Sequence, residues 1–283
     1  MADAPRFTRR NHGNGHSYLL DGETIPGVTT IKNVLNKPAL TTWAARMAAD
    51  AVINEWDHLA SLPVSERHAY VLKAPDRFRD AAAVRGTRVH RAAQSLIDGH
   101  PWDAPDELRG QAEALARFFD AWDAESVLVE TSACSTVYRY GGTLDAVLYI
   151  PALGNVLVDY KTRDDGRTPY PDVALQLAAY RACDLYLEEE EVFGPRGGRL
   201  KSIWHERRMP HVDHCAVIGV TPGSATLYPM RTDDEIFEGF LALLDAYRSF
   251  VMVTDYRNQD KEYWRPTVGD ALYPEAPEWP ATL

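Results

Sequence analysis

The chain has 283 residues, with 30 Lys and Arg against 41 Asp and Glu, a formal net charge of −11. That length suits one large domain, or a domain with an added lobe, around a substantial core. The acidic balance argues against a protein that coats nucleic acid non-specifically, because such binding scales with the phosphates neutralised. It leaves open a protein whose basic residues are gathered in one place. No apolar run reaches the roughly 18–20 residues of a membrane span. Met1–Arg6 has no apolar signal segment, so no membrane partner is expected. Three cysteines, Cys134, Cys183 and Cys215, lack framework or CxxC spacing and fit a reducing cytoplasm.

In chain order, a small hairpin is expected around Asp21-Gly22, which is turn chemistry. Helices are predicted over Val28 to Leu35, Leu40 to Trp56, Val64 to Leu72, Pro75 to Ile97 and Pro105 to Glu125. The fourth carries Val89, Ala92 and Leu96 as an apolar face, with His90 on the adjoining stripe with Ala93, Gln94 and Ile97. A histidine in that place is most often a packing residue, yet neutral imidazole can join carboxylates around a divalent metal.

Three strands follow. Val127 to Tyr140 carries Glu130 near its start, either a surface residue or an added ligand. Gly141 to Ile150 is entered through two glycines and holds Asp145; Pro151–Asn155 supplies a turn; Val156 to Thr162 is apolar until Asp159 and Lys161. Residues two apart in a strand share a face, so Asp159 and Lys161 lie together, opposite Tyr160. Burying a charge is costly, so this pair needs a partner, a metal or a task. The chain has 24 Arg but only 6 Lys, which makes a lysine here less ordinary. The midpoint of residues 145 and 159 is 152, inside the turn, so the hairpin brings both aspartates to nearly one level. Two carboxylates held together repel unless one is protonated or a cation joins them. A slip of one residue would instead put them on opposite faces.

A helix is predicted from Val173 to Leu187, with Gln176 and Tyr180 stacked at i, i+4, as site residues or as surface and core. Strands at His214 to Val220 and Ala225 to Met230 and a closing helix from Asp233 to Val253 complete the core. Two segments are locally basic, Arg77 to Arg91 and Phe193 to Arg208; the glycines and proline of Gly194–Gly198 make the second read as a mobile loop. His205, Glu206, His211, His214 and Cys215 crowd together, but without the spacing of a tetrahedral zinc site. The expected fold class is α/β, a mixed central sheet flanked by helices, with a hairpin and helical lobe over 1–83, a core over 84–256 and an irregular Pro-rich tail over 257–283.

The ordered motifs Gly86-Thr87-Arg88-Val89-His90, Gly142-Thr143-Leu144-Asp145, Val158-Asp159-Tyr160-Lys161-Thr162 and Gln176-Leu177-Ala178-Ala179-Tyr180 resemble the RecB-like branch of the PD-(D/E)xK nucleases. Ile25–Ile31, with Lys37-Pro38-Ala39-Leu40 and Trp43, looks like the N-terminal part of RecB-like exonucleases of bacterial viruses. The resemblance implies a restriction-endonuclease-like core and a DNA exonuclease of replication, recombination or repair that uses Mg²⁺ or Mn²⁺. It further implies metal ligation by His90, Asp145, Asp159 and the Tyr160 carbonyl. Lys161 would orient or activate water, and Gln176 and Tyr180 would line the site. Leu144 stands where many relatives have proline. The four cysteines of the iron–sulfur relatives are not present, so no cluster is expected. A recombination or replication protein is a possible partner. A non-catalytic DNA-end or partner-binding module on the same fold, or an endonuclease with the same chemistry, are the alternatives.

Overall fold

The computed structural model describes residues 5–13, 15–97, 99–100, 105–162, 169–193 and 199–254; the Pro-rich segment 257–283 lies outside them. Three short strands open the chain, β1 (Phe7–His12), β2 (Gly15–Leu20) and β3 (Glu23–Ile25), as an antiparallel meander. The turn at Asp21-Gly22 is the expected one, with positive φ at both residues. Five helices follow: α1 (Val28–Lys32), α2 (Pro38–Asn54), α3 (Trp56–Ser61), α4 (Val64–Leu72) and α5 (Ala74–Ile97). Pro38 starts α2, where a missing N–H costs nothing. A short 3₁₀ turn, Asp106–Leu108, leads into α6 (Arg109–Trp122), which ends on Asp123 in the left-handed region.

The central sheet has seven strands. β4 (Glu125–Ser135), β5 (Tyr140–Ile150) and β6 (Gly154–Thr162) come first, then α7 (Val173–Arg181). β7 (Leu185–Phe193), β8 (Arg199–Arg208), β9 (His214–Val220), β10 (Ala225–Pro229) and α8 (Asp234–Thr254) complete the fold. The order is β10-β9-β6-β5-β4-β7-β8, antiparallel except for β6 beside β9. The expected mixed sheet flanked by helices is therefore what forms.

Two cores sandwich this sheet. On one face Val28 and Ile31 of α1, Val173 and Leu177 of α7, and Phe240 and Leu244 of α8 pack on Leu144, Val147, Leu157 and Val217. On the other, Val89 and Ala93 of α5 and Leu115, Phe118 and Phe119 of α6 pack on Ala146, Leu148, Val156, Val158 and Ile218. The meander packs through Phe7, Tyr18 and Leu20 on Cys134 and Leu187. Its end is tied to β5, where the Gly141 N–H donates to the Pro26 carbonyl at 3.0 Å. The first core thus includes α1 from the N-terminal part, and α5 runs unbroken through residues 83 and 84, where a boundary was expected.

Two expectations change. The helix expected to Leu187 ends at Arg181, and Leu185 begins β7. The glutamates of Glu188–Glu191 are good helix formers, but here they pair across strands: Glu188 with Arg207 at 2.8 Å and Glu190 with His205 at 2.7 Å. Asp184 helps to fix the switch by accepting from both the backbone N–H and the hydroxyl of Thr136, each at 2.6 Å. By the same pairing, Arg199–Arg208 is a strand rather than a mobile loop, while residues 194–198 lie outside the described ones. The crowded histidines separate accordingly: His205 and Glu206 sit on β8, His214 and Cys215 on β9, and His211 lies between the strands.

Glycine at 142 is demanded by packing. A Cβ there would sit 2.6 Å from Cε1 and 2.8 Å from Oη of Tyr180. Gly142→Ala should cost about 1–3 kcal/mol through overpacking, measured as a lower denaturant midpoint. The loss should shrink when the same change is made in a Tyr180→Leu background.

Candidate metal centre

β6 alternates regularly: Leu157 faces the α7 side, and Val158 and Tyr160 the α5 side with Val158 between Leu157 and Asp159. Asp159 and Lys161 therefore point with Leu157 toward α7. Asp159 is buried, and its Oδ1 accepts from Gln176 Nε2 at 3.0 Å. The Gln176 carbonyl in turn accepts from Lys32 Nζ at 2.9 Å. Lys161 Nζ lies 2.6 Å from Asp159 Oδ2 as an ion pair. The Lys161 ammonium is thus the charged neighbour of Oδ2, while Gln176 holds Oδ1.

β5 does not alternate regularly. Leu144 belongs to the core under α7 and α8, and Ala146, two residues on, to the core under α5 and α6. A regular strand would put both on one face, so β5 changes face at Asp145. The β5–β6 ladder runs from Ile150↔Gly154 to Ala146↔Val158. The next step brings Asp145 level with Asp159, as the position of the turn requires. There the Asp145 side chain takes over from the backbone, and its Oδ2 accepts from the Tyr160 N–H at 2.8 Å. On the other side of β5, the pairs Val129↔Ala146 and Thr131↔Leu144 place Glu130 of β4 across from Asp145. Glu130 has φ +45°, a conformation that few non-glycine residues take.

α5 supplies the third group. His90 Nε2 lies 3.2 Å from the Tyr160 carbonyl, which can only accept, so Nε2 carries a proton. Nδ1 then faces Glu130 Oε1 at 3.4 Å and Asp145 Oδ1 at 3.7 Å. One ligand atom each from His90, Glu130 and Asp145 all lie within 4.8 Å of one another, and this group could hold a metal ion. No other such group of three occurs among the described residues.

The group takes in His90, Asp145 and Glu130; Asp159, close enough to act on the Asp145 carboxyl, lies outside it and is held by Lys161 and Gln176. The Tyr160 carbonyl is occupied by His90. Tyr180 is buried in the first core against the Gly142 backbone. The three cysteines are buried and form no disulfide: Cys134 is on β4, Cys183 just after α7, and Cys215 on β9.

Charge crowding marks the site. Burial, followed by the Asp159 carboxylate, pushes the Asp145 carboxyl up to about 7, against the pull of His90 and Lys161. Burial alone would lower His90, but Glu130 and Asp145 outweigh it and raise the imidazole to about 9. Lys161 is held above its ordinary value, because Asp159 and Asp145 overcome the cost of burial. Asp145 thus holds a proton far more readily than an ordinary carboxyl, and His90 holds its positive charge more readily than an ordinary imidazole. One nitrogen and several carboxylate oxygens form a donor set suited to a divalent ion.

Lys32 escapes a motif reading. It is buried on α1, where its amine donates to Gln176 and lies 3.5 Å from Asp172 Oδ2, which also accepts from Lys37 at 2.8 Å. The scarcity of lysine that singles out Lys161 applies equally to Lys32 and Lys37, so the signal was present in composition. No family model matches the chain, and no curated protein matches it.

Removing a ligand should weaken metal binding at least as much as removing an outer contact, roughly 10–100-fold. In a Mn²⁺ titration followed by electron paramagnetic resonance, His90→Ala, Glu130→Gln and Asp145→Asn should each lose at least that much. Wild-type affinity in Glu130→Gln would return Glu130 to the role of a surface carboxylate.

Proposed function

We propose that the chain is a metal-dependent deoxyribonuclease that hydrolyses phosphodiester bonds at DNA ends, of the RecB-like PD-(D/E)xK kind. The observation that carries this reading is the convergence of His90, Asp145, Asp159 and Lys161 from α5, β5 and β6 on one seam of the sheet. These residues come from three of the ordered motifs, and Gln176 of the fourth bonds to Asp159.

His90, Glu130 and Asp145 would hold Mg²⁺ or Mn²⁺, and the buried Oδ2 of Asp159, which faces the Lys161 ammonium, is a further oxygen that a cation or its water would share. The bound ion would supply Lewis-acid polarisation of the scissile phosphate and a lower pKa for its water. The chain's own contribution centres on Lys161. Its amine is kept charged by Asp159 and Asp145, so it acts as fixed positive charge for the attacking and developing oxyanions rather than as a base. Asp159 aims that amine. Gln176 fixes Asp159, and Lys32 fixes which end of the Gln176 amide faces it. The work of the deoxyribonuclease is placed in replication, recombination or repair by the resemblance alone.

The test is digestion of end-labelled linear DNA and covalently closed circles with Mg²⁺, with Mn²⁺ and with EDTA. Linear DNA alone should disappear, and only with metal. Asp159→Ala and Lys161→Ala should each slow the reaction roughly 100–1000-fold, the usual cost of removing a positioned electrostatic group, with DNA binding retained. Opened circles would make the activity endonucleolytic. Intact DNA in every lane, with DNA still bound, would leave a binding module on this fold.

A further inference from the structure

Beside the metal group lies a groove of about 450 Å³, within the ordinary size range of ligand clefts. Glu130 lines it, so whatever fills it lies against the candidate metal group. Gln94 of α5, one helical turn beyond His90, lines it too, as do Arg9 of β1 and Trp204 of β8. Trp204 is 42% exposed, so its ring is open to solvent in the groove. Strand geometry explains how these groups meet. Trp204 and Glu206 share a face of β8, and Phe7 and Arg9 share a face of β1. The Glu206 carboxylate accepts from the Phe7 N–H, which lays β1 over this edge of the sheet and brings Arg9 to the same groove as Trp204. Arg9 is exposed and has no ion-pair partner among the described residues. Glu188, paired with Arg207, and Glu189 also line the groove. The Trp204 ring suits a base, and Arg9 suits a sugar-phosphate backbone.

We propose that this groove binds an unpaired DNA strand next to the scissile phosphate, with a base stacked on Trp204 and the backbone on Arg9, so that the nuclease acts on a single-stranded end. This rests on the nuclease reading for its substrate. Its physics is that of other single-strand sites, in which an aromatic platform takes any base because every base has a π-face.

The test is binding by the full chain in EDTA, followed by fluorescence anisotropy, so that no cleavage step enters. The probes are a labelled oligothymidylate of about twelve nucleotides, an abasic oligomer of equal length, and a duplex. Trp204→Ala should weaken oligothymidylate binding roughly 5–150-fold, as expected for the loss of one stacked base. It should leave abasic and duplex binding unchanged, and Trp204→Phe should retain most of the affinity. Arg9→Ala should lower the salt slope by about 0.7, one phosphate contact on a single strand. Wild-type affinity in Trp204→Ala, or equal binding of the abasic oligomer by the wild type, would overturn the proposal. Failure of the two readings is separable. Digestion of DNA with Trp204→Ala indistinguishable from wild type removes the groove and keeps the nuclease. Trp204-dependent binding without any cleavage removes the nuclease and keeps the groove.

Discussion

Where the β5–β6 ladder ends beyond Ala146 and Val158, one hydrogen bond continues the seam, from the Tyr160 N–H to the Asp145 carboxylate at 2.8 Å. A backbone donor in the middle of a sheet must find an acceptor, and where the two strands part, the side chain of Asp145 provides it. That substitution brings a carboxylate into the plane of the sheet. Asp159 then lies to one side of it, toward α7, and His90 and Glu130 to the other. The positive φ of Glu130 and the change of face at Asp145 occur at the same level on neighbouring strands. The irregularity is shared by two strands, and the metal group sits on it.

The cost of this arrangement is buried charge, and the surrounding elements are placed to offset it. Asp159 is met by Lys161 and Gln176, Gln176 by Lys32, and Lys32 by Asp172, which Lys37 also holds. Asp172 stays below the ordinary carboxylate range, because the two lysines outweigh the effect of burial. This chain of contacts runs from the centre of the sheet to α1 and the start of α2. The N-terminal helices are in this way part of the support of the site, joined to it by the apolar packing of Val28 and Ile31 as well.

Buried ion pairs are weak stabilisers, since desolvation consumes most of the Coulomb gain. Their value here is geometric. With Oδ1 of Asp159 tied to Gln176, its other oxygen and the amine of Lys161 have little freedom. A long, otherwise flexible lysine is thereby aimed and kept charged. A carboxyl pushed up to about 7 by burial and an imidazole raised to about 9 by its carboxylate neighbours mark crowded, buried charge of the kind that gathers at functional sites.

Much of this could be read along the chain. The alternation of Val156–Thr162 and the turn chemistry of Pro151–Gly154 put Asp145 and Asp159 at one level, because register in a tight hairpin follows from its turn. The apolar stripe of α5 put His90 beside the core face, because a helix places every third or fourth residue together. Tertiary structure decided the rest. Residues 185–191 had leucine and glutamate spacing compatible with a helix, and only the partner strand β8, with Arg207 and His205, made them a strand. Glu130 could not be assigned from its own strand, since its position depends on a left-handed residue and on a face change fifteen residues later at Asp145. Lys32 meets Gln176 across 144 residues. Local pattern reports periodicity, and periodicity determines faces and levels. Which groups cross between elements is set by how the two cores press those elements together.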